Sequence, residues 1–386
     1  MIRTVAACVA AAALVASTWG VGELLSRGTP GESVVRDTQL QAKAPGKDKA
    51  PGKNRDLEHA SLRDLGRRAG VLIGTAVDIS ALDADATYRE HLASEFSSVT
   101  AENAMKWSEL EPERGRYEWE AAEKLVRTAE KNGQRVRGHT LVWHNQLPRW
   151  LTDGVESGAI GPRKLRKILR NHILTVVGHF RGRIYEWDVV NEVIDDNGQL
   201  RESIWLKNLG PGYIADAFRW AHQADPHAKL FLNDYNVEGP NAKADAYYEL
   251  AQQLLRAGVP VHGMGIQGHL GVQYGFWSAI QVAENLRRFE ALGLQTSVTE
   301  ADVRMIMPPD TAKLQAQAQG YSTLMQGCLL ATRCRSFTVW GFTDRYSWVP
   351  GTFEGQGAAT ILDEDFQPKP AYDALKADLA LAARRR

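Results

Sequence analysis

Two glutamates carry the first chemical signal in the sequence. Glu192 closes the run Trp187-Asp188-Val189-Val190-Asn191-Glu192, and Glu300 follows Val298-Thr299 and precedes Ala301-Asp302. Two carboxyl groups held across one bond can divide the work of glycosidic cleavage. One protonates the leaving oxygen and the other meets an oxocarbenium-like carbon. The plainer alternative is a pair of structural ion pairs. Asn191 beside Glu192 favours the chemical reading, because an amide there can bond a sugar 2-hydroxyl, a contact that strengthens in the transition state.

Other polar clusters repeat along the chain. They are Glu102-Asn103-Ala104-Met105-Lys106-Trp107, His139-Thr140-Leu141-Val142-Trp143-His144, Asn233-Asp234-Tyr235-Asn236, Gln267-Gly268-His269 and Trp340-Gly341-Phe342-Thr343-Asp344. One such residue after a strand would be an ordinary helix cap. Seven clusters of carboxylates, amides, imidazoles and indoles, counting those of Glu192 and Glu300, exceed what capping needs. Amides and carboxylates bond hydroxyls, and indoles cover apolar ring faces, so a carbohydrate cleft is expected. The 11 Trp of the chain fit that use. A metal hydrolase is the rival suggested by His139, His144, His262, His269 and Asp344. The two closely spaced His that such barrels place after an early strand are missing, and three Cys are too few for a thiolate site. No metal and no cofactor are expected. His222 and His227 read as solvated residues near a helix end.

These clusters follow short β-branched or apolar runs at 71–76, 97–101, 135–141, 184–190, 229–233, 262–266, 295–299 and 336–341. Segments of helical period lie between them, one from Ala121 to Asn132 stopped by Gly133, one opened by Pro162, and one around Tyr247–Leu255 ahead of Gly258. Eight strands alternating with helices predict an α/β fold of the (β/α)8, or TIM barrel, type over residues 57–380. A doubly wound sheet is the runner-up, but no glycine-rich phosphate turn follows the first strand. In a barrel the C-terminal strand ends hold the site, which is where the polar clusters fall.

The ends of the chain read differently. Arg3 precedes an uncharged run from Thr4 to Gly22, the pattern of an export signal or an uncleaved membrane anchor over residues 1–25. Residues 26–56 lack periodicity, and Lys43-Ala44-Pro45-Gly46-Lys47 recurs as Lys49-Ala50-Pro51-Gly52-Lys53. Such a tract predicts a disordered linker, a tether that is either merely soluble or drawn to an anionic cell surface. Residues 381–386 read as a basic C-terminal tail. Lys+Arg 46 against Asp+Glu 46 gives no net charge, which argues against nucleic acid as a partner.

From about Leu57 to Leu379 the sequence resembles glycoside hydrolase family 10, the retaining endo-β-1,4-xylanases. Thr100–Trp107, His139–His144, Trp187–Glu192 and Thr338–Gly341 carry the resemblance, with Trp348-Val349-Pro350-Gly351-Thr352-Phe353 and Lys369-Pro370-Ala371-Tyr372 continuing it. It implies Glu192 as acid/base and Glu300 as nucleophile, with His269 bonded to the nucleophile and Asp302 behind it. It also implies that Glu102, Asn103, Lys106, His139, Trp143, Asn191, Gln267, Trp340 and Trp348 line sugar subsites, with Tyr235 and Asn236 on the leaving-group side. The expected substrate is xylan and its xylo-oligosaccharides, hydrolysed outside the cell by a monomer. A broader β-1,4-glycanase and a non-catalytic polysaccharide-binding protein are the alternatives. The family usually has Leu where this chain has Ala301, a residue expected to face the helices. The resemblance further implies a Cys328–Cys334 disulfide, against the alternative of two buried thiols.

Overall fold

The computed structural model describes Leu57 and residues 59–385. The expected signal or anchor and the expected linker lie outside the described residues. Among the described residues ten strands are present: β1 Leu72–Val77, β2 Ser98–Ala101, β3 Arg135–Gly138, β4 Ile184–Asn191, β5 Lys229–Asp234, β6 Gly263–Ile266, β7 His269–Gly271, β8 Gln295–Ile306, β9 Cys334–Val339 and β10 Gln356–Gly357. β1 to β6, β8 and β9 pair in parallel in that order, and β9 returns to β1. The result is a closed eight-stranded barrel with helices between the strands.

The barrel strands are buried on both faces, so most of their residues are apolar or small, and the charged residues inside β3 and β4, Arg137, Glu186 and Asp188, pair with one another. Gly138 shows how tight the interior is: a Cβ there would lie 2.1 Å from the Trp187 ring. The helix Glu120–Asn132 stops at Gly133, whose φ of 62° lets its N–H reach back to the carbonyls of Ala129 and Glu130. Pro162 opens the helix Pro162–His179, where its missing N–H costs no bond.

Four details differ from the sequence reading. β3 stops at Gly138, so Leu141 lies beyond it. β8 does not stop at Thr299 but runs to Ile306, because β7 and β10 pair with its far half and supply backbone partners there. The segment beginning at residue 381 is not a tail. The helix Pro370–Arg384 continues into it as far as Arg384, held by buried Leu379 and by Ala380, Ala382 and Ala383 against the core. His222 is not simply solvated; it is half-buried, with Nδ1 enclosed and its ring 6.2 Å from that of His262, where the helix Gly212–Ala224 packs near the start of β6.

Cys328 and Cys334 are joined as a disulfide with Cα atoms 5.3 Å apart. The bond ties the end of the helix Thr311–Leu330 to the start of β9, the strand that leads to Trp340. Ala301 is fully buried, and Tyr321 of that helix packs over its carbonyl.

Candidate active site

The strand ends converge on an open cleft of about 570 Å³. Of the cleft and catalytic residues named from sequence, all except Asp302 line it: Glu102, Asn103, Lys106, His139, Trp143, Asn191, Glu192, Tyr235, Asn236, Gln267, His269, Glu300, Trp340 and Trp348. Asp302 lies just behind.

Glu300 sits at the floor with 4% of its surface exposed. Asn233 Nδ2 donates to its Oε1 at 2.7 Å, and His269 Nε2 stands 3.1 Å from its Oε2. The other ring nitrogen of His269 is 3.0 Å from Asp302 Oδ2, which also accepts from Trp348 Nε1 at 2.8 Å. An imidazole facing a carboxylate at each nitrogen can satisfy both only as the cation. Burial alone would favour neutral His269, but Asp302 and Glu300 outweigh it and push the imidazole up to about 10. Burial likewise disfavours the Glu300 anion. His139, 3.8 Å from Oε1, together with His269 and Asn233, overcomes that and holds Glu300 at about 2.

The local chain is shaped for this arrangement. Gly265 makes room for Asn233, since a Cβ there would lie 2.4 Å from Asn233 Oδ1 and 2.7 Å from Thr299 Cγ2. Thr299 Oγ1 donates to that same Oδ1 at 2.7 Å, so the amide is turned with its nitrogen toward Glu300. His139 is fixed from below: its Nδ1 is 2.9 Å from Asp188 Oδ2, and Arg137 inside the barrel pairs with Asp188 and Glu186.

Glu192 stands across the cleft in looser company. Its Oε1 accepts from Asn191 Nδ2 and Gln267 Nε2, each at 3.1 Å. Its backbone has φ of 58°, a left-handed conformation that turns the chain out of β4. Arg201 Nε donates to the Glu192 carbonyl at 2.7 Å and Arg201 Nη2 to Tyr235 Oη at 3.0 Å, so the turn is braced against the residue expected on the leaving-group side. Asn233 Nδ2 also donates to Asn191 Oδ1 at 2.8 Å, so two amides link one carboxylate to the other.

The remaining wall carries both apolar and polar surface. Trp340 is almost wholly enclosed, yet it stands outside the packed apolar cluster, edge-on to His139 and His269. Lys106 Nζ lies 5.1 Å over the Trp143 ring and donates to Asn103 Oδ1 at 3.1 Å. Burial raises Glu102 to about 7, with Asp78 adding to the shift and Lys106 and Asn103 opposing it.

Sequence reasoning gave no role to Asn233, Asp188 or Arg137, and it missed Asn145, Gln146, Arg304, Thr352 and Phe353 on the cleft wall. His139, Asp188 and Glu300 come close enough to suggest a cation site. The residues do not fit one: Arg137 already covers both oxygens of Asp188, and Asn233 and His269 cover those of Glu300.

The profile of glycosyl hydrolase family 10 matches residues 61–378. The chain belongs to this family. Among family 10 relatives, endo-1,4-beta-xylanase B of Thermotoga neapolitana is 44% identical over 321 residues, covering 82% of this chain and 90% of that protein. An endo-1,4-beta-xylanase of Agaricus bisporus is 42% identical over 320 residues, covering 82% and 94%. The crystal structure of xylanase 10B from Thermotoga maritima superposes with a TM-score of 0.80 at 43% identity, covering 85% of this chain and all of that one. The xylobiose complex of xylanase 10B from Thermotoga petrophila also gives 0.80, at 42% identity, with 84% and 98% covered.

Proposed function

We propose that this barrel is an endo-1,4-β-xylanase that cleaves internal bonds of xylan with retention of configuration, Glu300 acting as nucleophile and Glu192 as acid/base. The observation that carries the assignment is the unequal surroundings of the two carboxylates. Glu300 is fixed as an anion by a histidine cation and an amide, while the hydrogen bonds to Glu192 among the described residues come from two neutral amides, with His144 Nδ1 4.0 Å from its other oxygen, surroundings suited to the acid/base role.

In the first step Glu300 Oε attacks the anomeric carbon while Glu192 gives its proton to the departing glycosidic oxygen. A glycosyl ester of Glu300 forms and the shortened chain leaves. Glu192, now a carboxylate, takes a proton from water, and that water's oxygen displaces Glu300 from the anomeric carbon. Trp340 and Trp348 wall the sugar at the nucleophile, and Tyr235 and Asn236 meet the leaving chain. Exposure to a 2-fluoro xylobioside with a good leaving group should add the glycosyl mass to the peptide containing Glu300. Label on any other carboxylate would overturn the assignment, as would a first product of inverted anomeric configuration by proton NMR.

The apolar run in residues 1–25 directs export, the Lys-rich residues 26–56 tether the barrel at the cell surface or in the medium, and the barrel works as a monomer. The Cys328–Cys334 disulfide supports an oxidising destination. Light scattering of the purified full chain should give the mass of one copy. Cell fractionation should find the activity outside the cytoplasm, and a cytoplasmic pool alone would refute export.

A further inference from the structure

We infer that Arg304 and the aromatic rings around it form a subsite for a uronic acid branch of the polysaccharide. This inference rests on the xylanase reading and extends it from the main chain to its decoration.

Arg304 lies on the far half of β8, two residues beyond Asp302 on the same face of the strand, and it lines the cleft. Its guanidinium is 4.1 Å from the centre of the Phe353 ring and 5.8 Å from that of Tyr274. Its orientation is fixed. Nε donates to Gln356 Oε1 at 3.1 Å, Nη1 reaches the Leu270 carbonyl at 3.4 Å, and Gln273 Nε2 holds the same Gln356 oxygen at 3.0 Å. Gln356 belongs to β10, which pairs with β8, so the bracket is part of the sheet.

What Arg304 lacks is a carboxylate. Among the described residues no Asp or Glu forms an ion pair with it, and its contacts with carbonyl oxygens leave Nη2 without a protein partner. A half-buried guanidinium oriented on a cleft wall without a counter-ion is suited to an anion brought by the ligand. Tyr274 is 71% exposed beside it, and Phe353 continues the wall toward Trp348, their ring centres 5.5 Å apart. Aromatic faces next to a guanidinium match a hexuronosyl group, which presents an apolar C–H face and one carboxylate. Phosphate or sulfate esters would meet the cation but leave the rings unused. A branch acid placed nearer the centre would meet Glu102, Glu192 and Glu300 instead, so a cation on the outer wall also keeps the acid away from the reacting carboxylates.

The experiment compares glucuronoxylan with the same polymer after its uronic acids are reduced to neutral sugars. With the wild-type chain, kcat/KM should be about tenfold higher on the acidic polymer at low salt, and the ratio should shrink as salt is added. In Arg304→Gln the ratio should fall to near one whatever the absolute rates. Arg304→Lys should keep part of it, and Tyr274→Ala, at an exposed position, should lose part of it. A wild-type ratio near one, or a ratio that survives in Arg304→Gln, overturns the subsite. Should Arg304→Gln not fold, the wild-type salt dependence and Tyr274→Ala decide: a salt-independent ratio unaffected by Tyr274→Ala overturns it. Failure to cleave the neutral polymer at all would instead overturn the xylanase reading on which the subsite rests.

Discussion

The floor under Glu300 and the wall that holds Glu192 are built on opposite plans. Glu300 lies within a charged network that runs from Arg137 through Asp188 and His139 on one side and through His269 to Asp302 on the other. Glu192 stands on a left-handed turn with two amide donors and more solvent. A nucleophile must be an anion each time it attacks and again when it leaves, so rigid cationic support suits it. An acid/base has to change charge twice per turnover, and a strong fixed cation beside it would hold it in one state. The difference between the two regions therefore amounts to a division of roles, which mutations can break one side at a time.

Glu300→Ala should show the largest loss, at least about 10⁵-fold in kcat on every substrate, because no group remains to form the glycosyl ester. Activity retained within a hundredfold would mean that another carboxylate attacks. Glu192→Ala should cost about 10²–10⁴-fold on xylan and much less in the first step on aryl xylosides whose leaving group needs no proton. Equal loss on both substrates would refute the acid role.

His269→Asn sharpens the contrast on the floor. Glu300 at about 2 and His269 at about 10 support each other across neutral pH. Removing the cation should raise the Glu300 pKa, so the acid limb of kcat/KM moves to higher pH, by about one unit or more. A profile that only drops in height would mean that His269 acts sterically. Gly265→Ala tests the same floor indirectly, since the new methyl would displace Asn233 and Thr299. About a tenfold fall in kcat is expected, with an upward shift of the acid limb smaller than in His269→Asn; an unchanged limb would remove Asn233 from the account. The smallest effect belongs far from the contrast. Replacing Cys328 and Cys334 by Ser should cost about 2 kcal/mol and a few degrees in Tm, because the closed loop is short, with kcat unchanged. A large kcat change would connect the disulfide to the cleft.

The barrel was legible because short β-branched or apolar runs recur ahead of polar clusters, and because Gly133 and Pro162 mark helix limits by backbone chemistry alone. The two glutamates were legible because each stands in a polar cluster directly after a short β-branched run, Glu192 just past the end of β4 and Glu300 where β8 leaves the barrel and continues to Ile306. Asn233 was seen as part of a cluster without a role, since its function depends on the register that sets it beside Asn191 and on the gap left by Gly265, neither visible along one strand. Arg304 was missed because β8 was expected to end at Thr299. The alternation of Glu300, Asp302 and Arg304 with Ala301, Val303 and Met305 is a period-two pattern that announces the longer strand. Arg137 reads as an ordinary surface arginine until the barrel closes around it.

The length of β8 has a further consequence for how such barrels diversify. Its twelve residues carry Glu300 near the middle and Arg304 near the end, joined by continuous backbone. Recombination that exchanges this strand between relatives transmits the nucleophile and the outer cation as one unit, whereas Tyr274 and Phe353 arrive on separate loops. A new preference for decoration can thus arise by exchanging loops over an unaltered reactive strand, without passing through inactive ancestors.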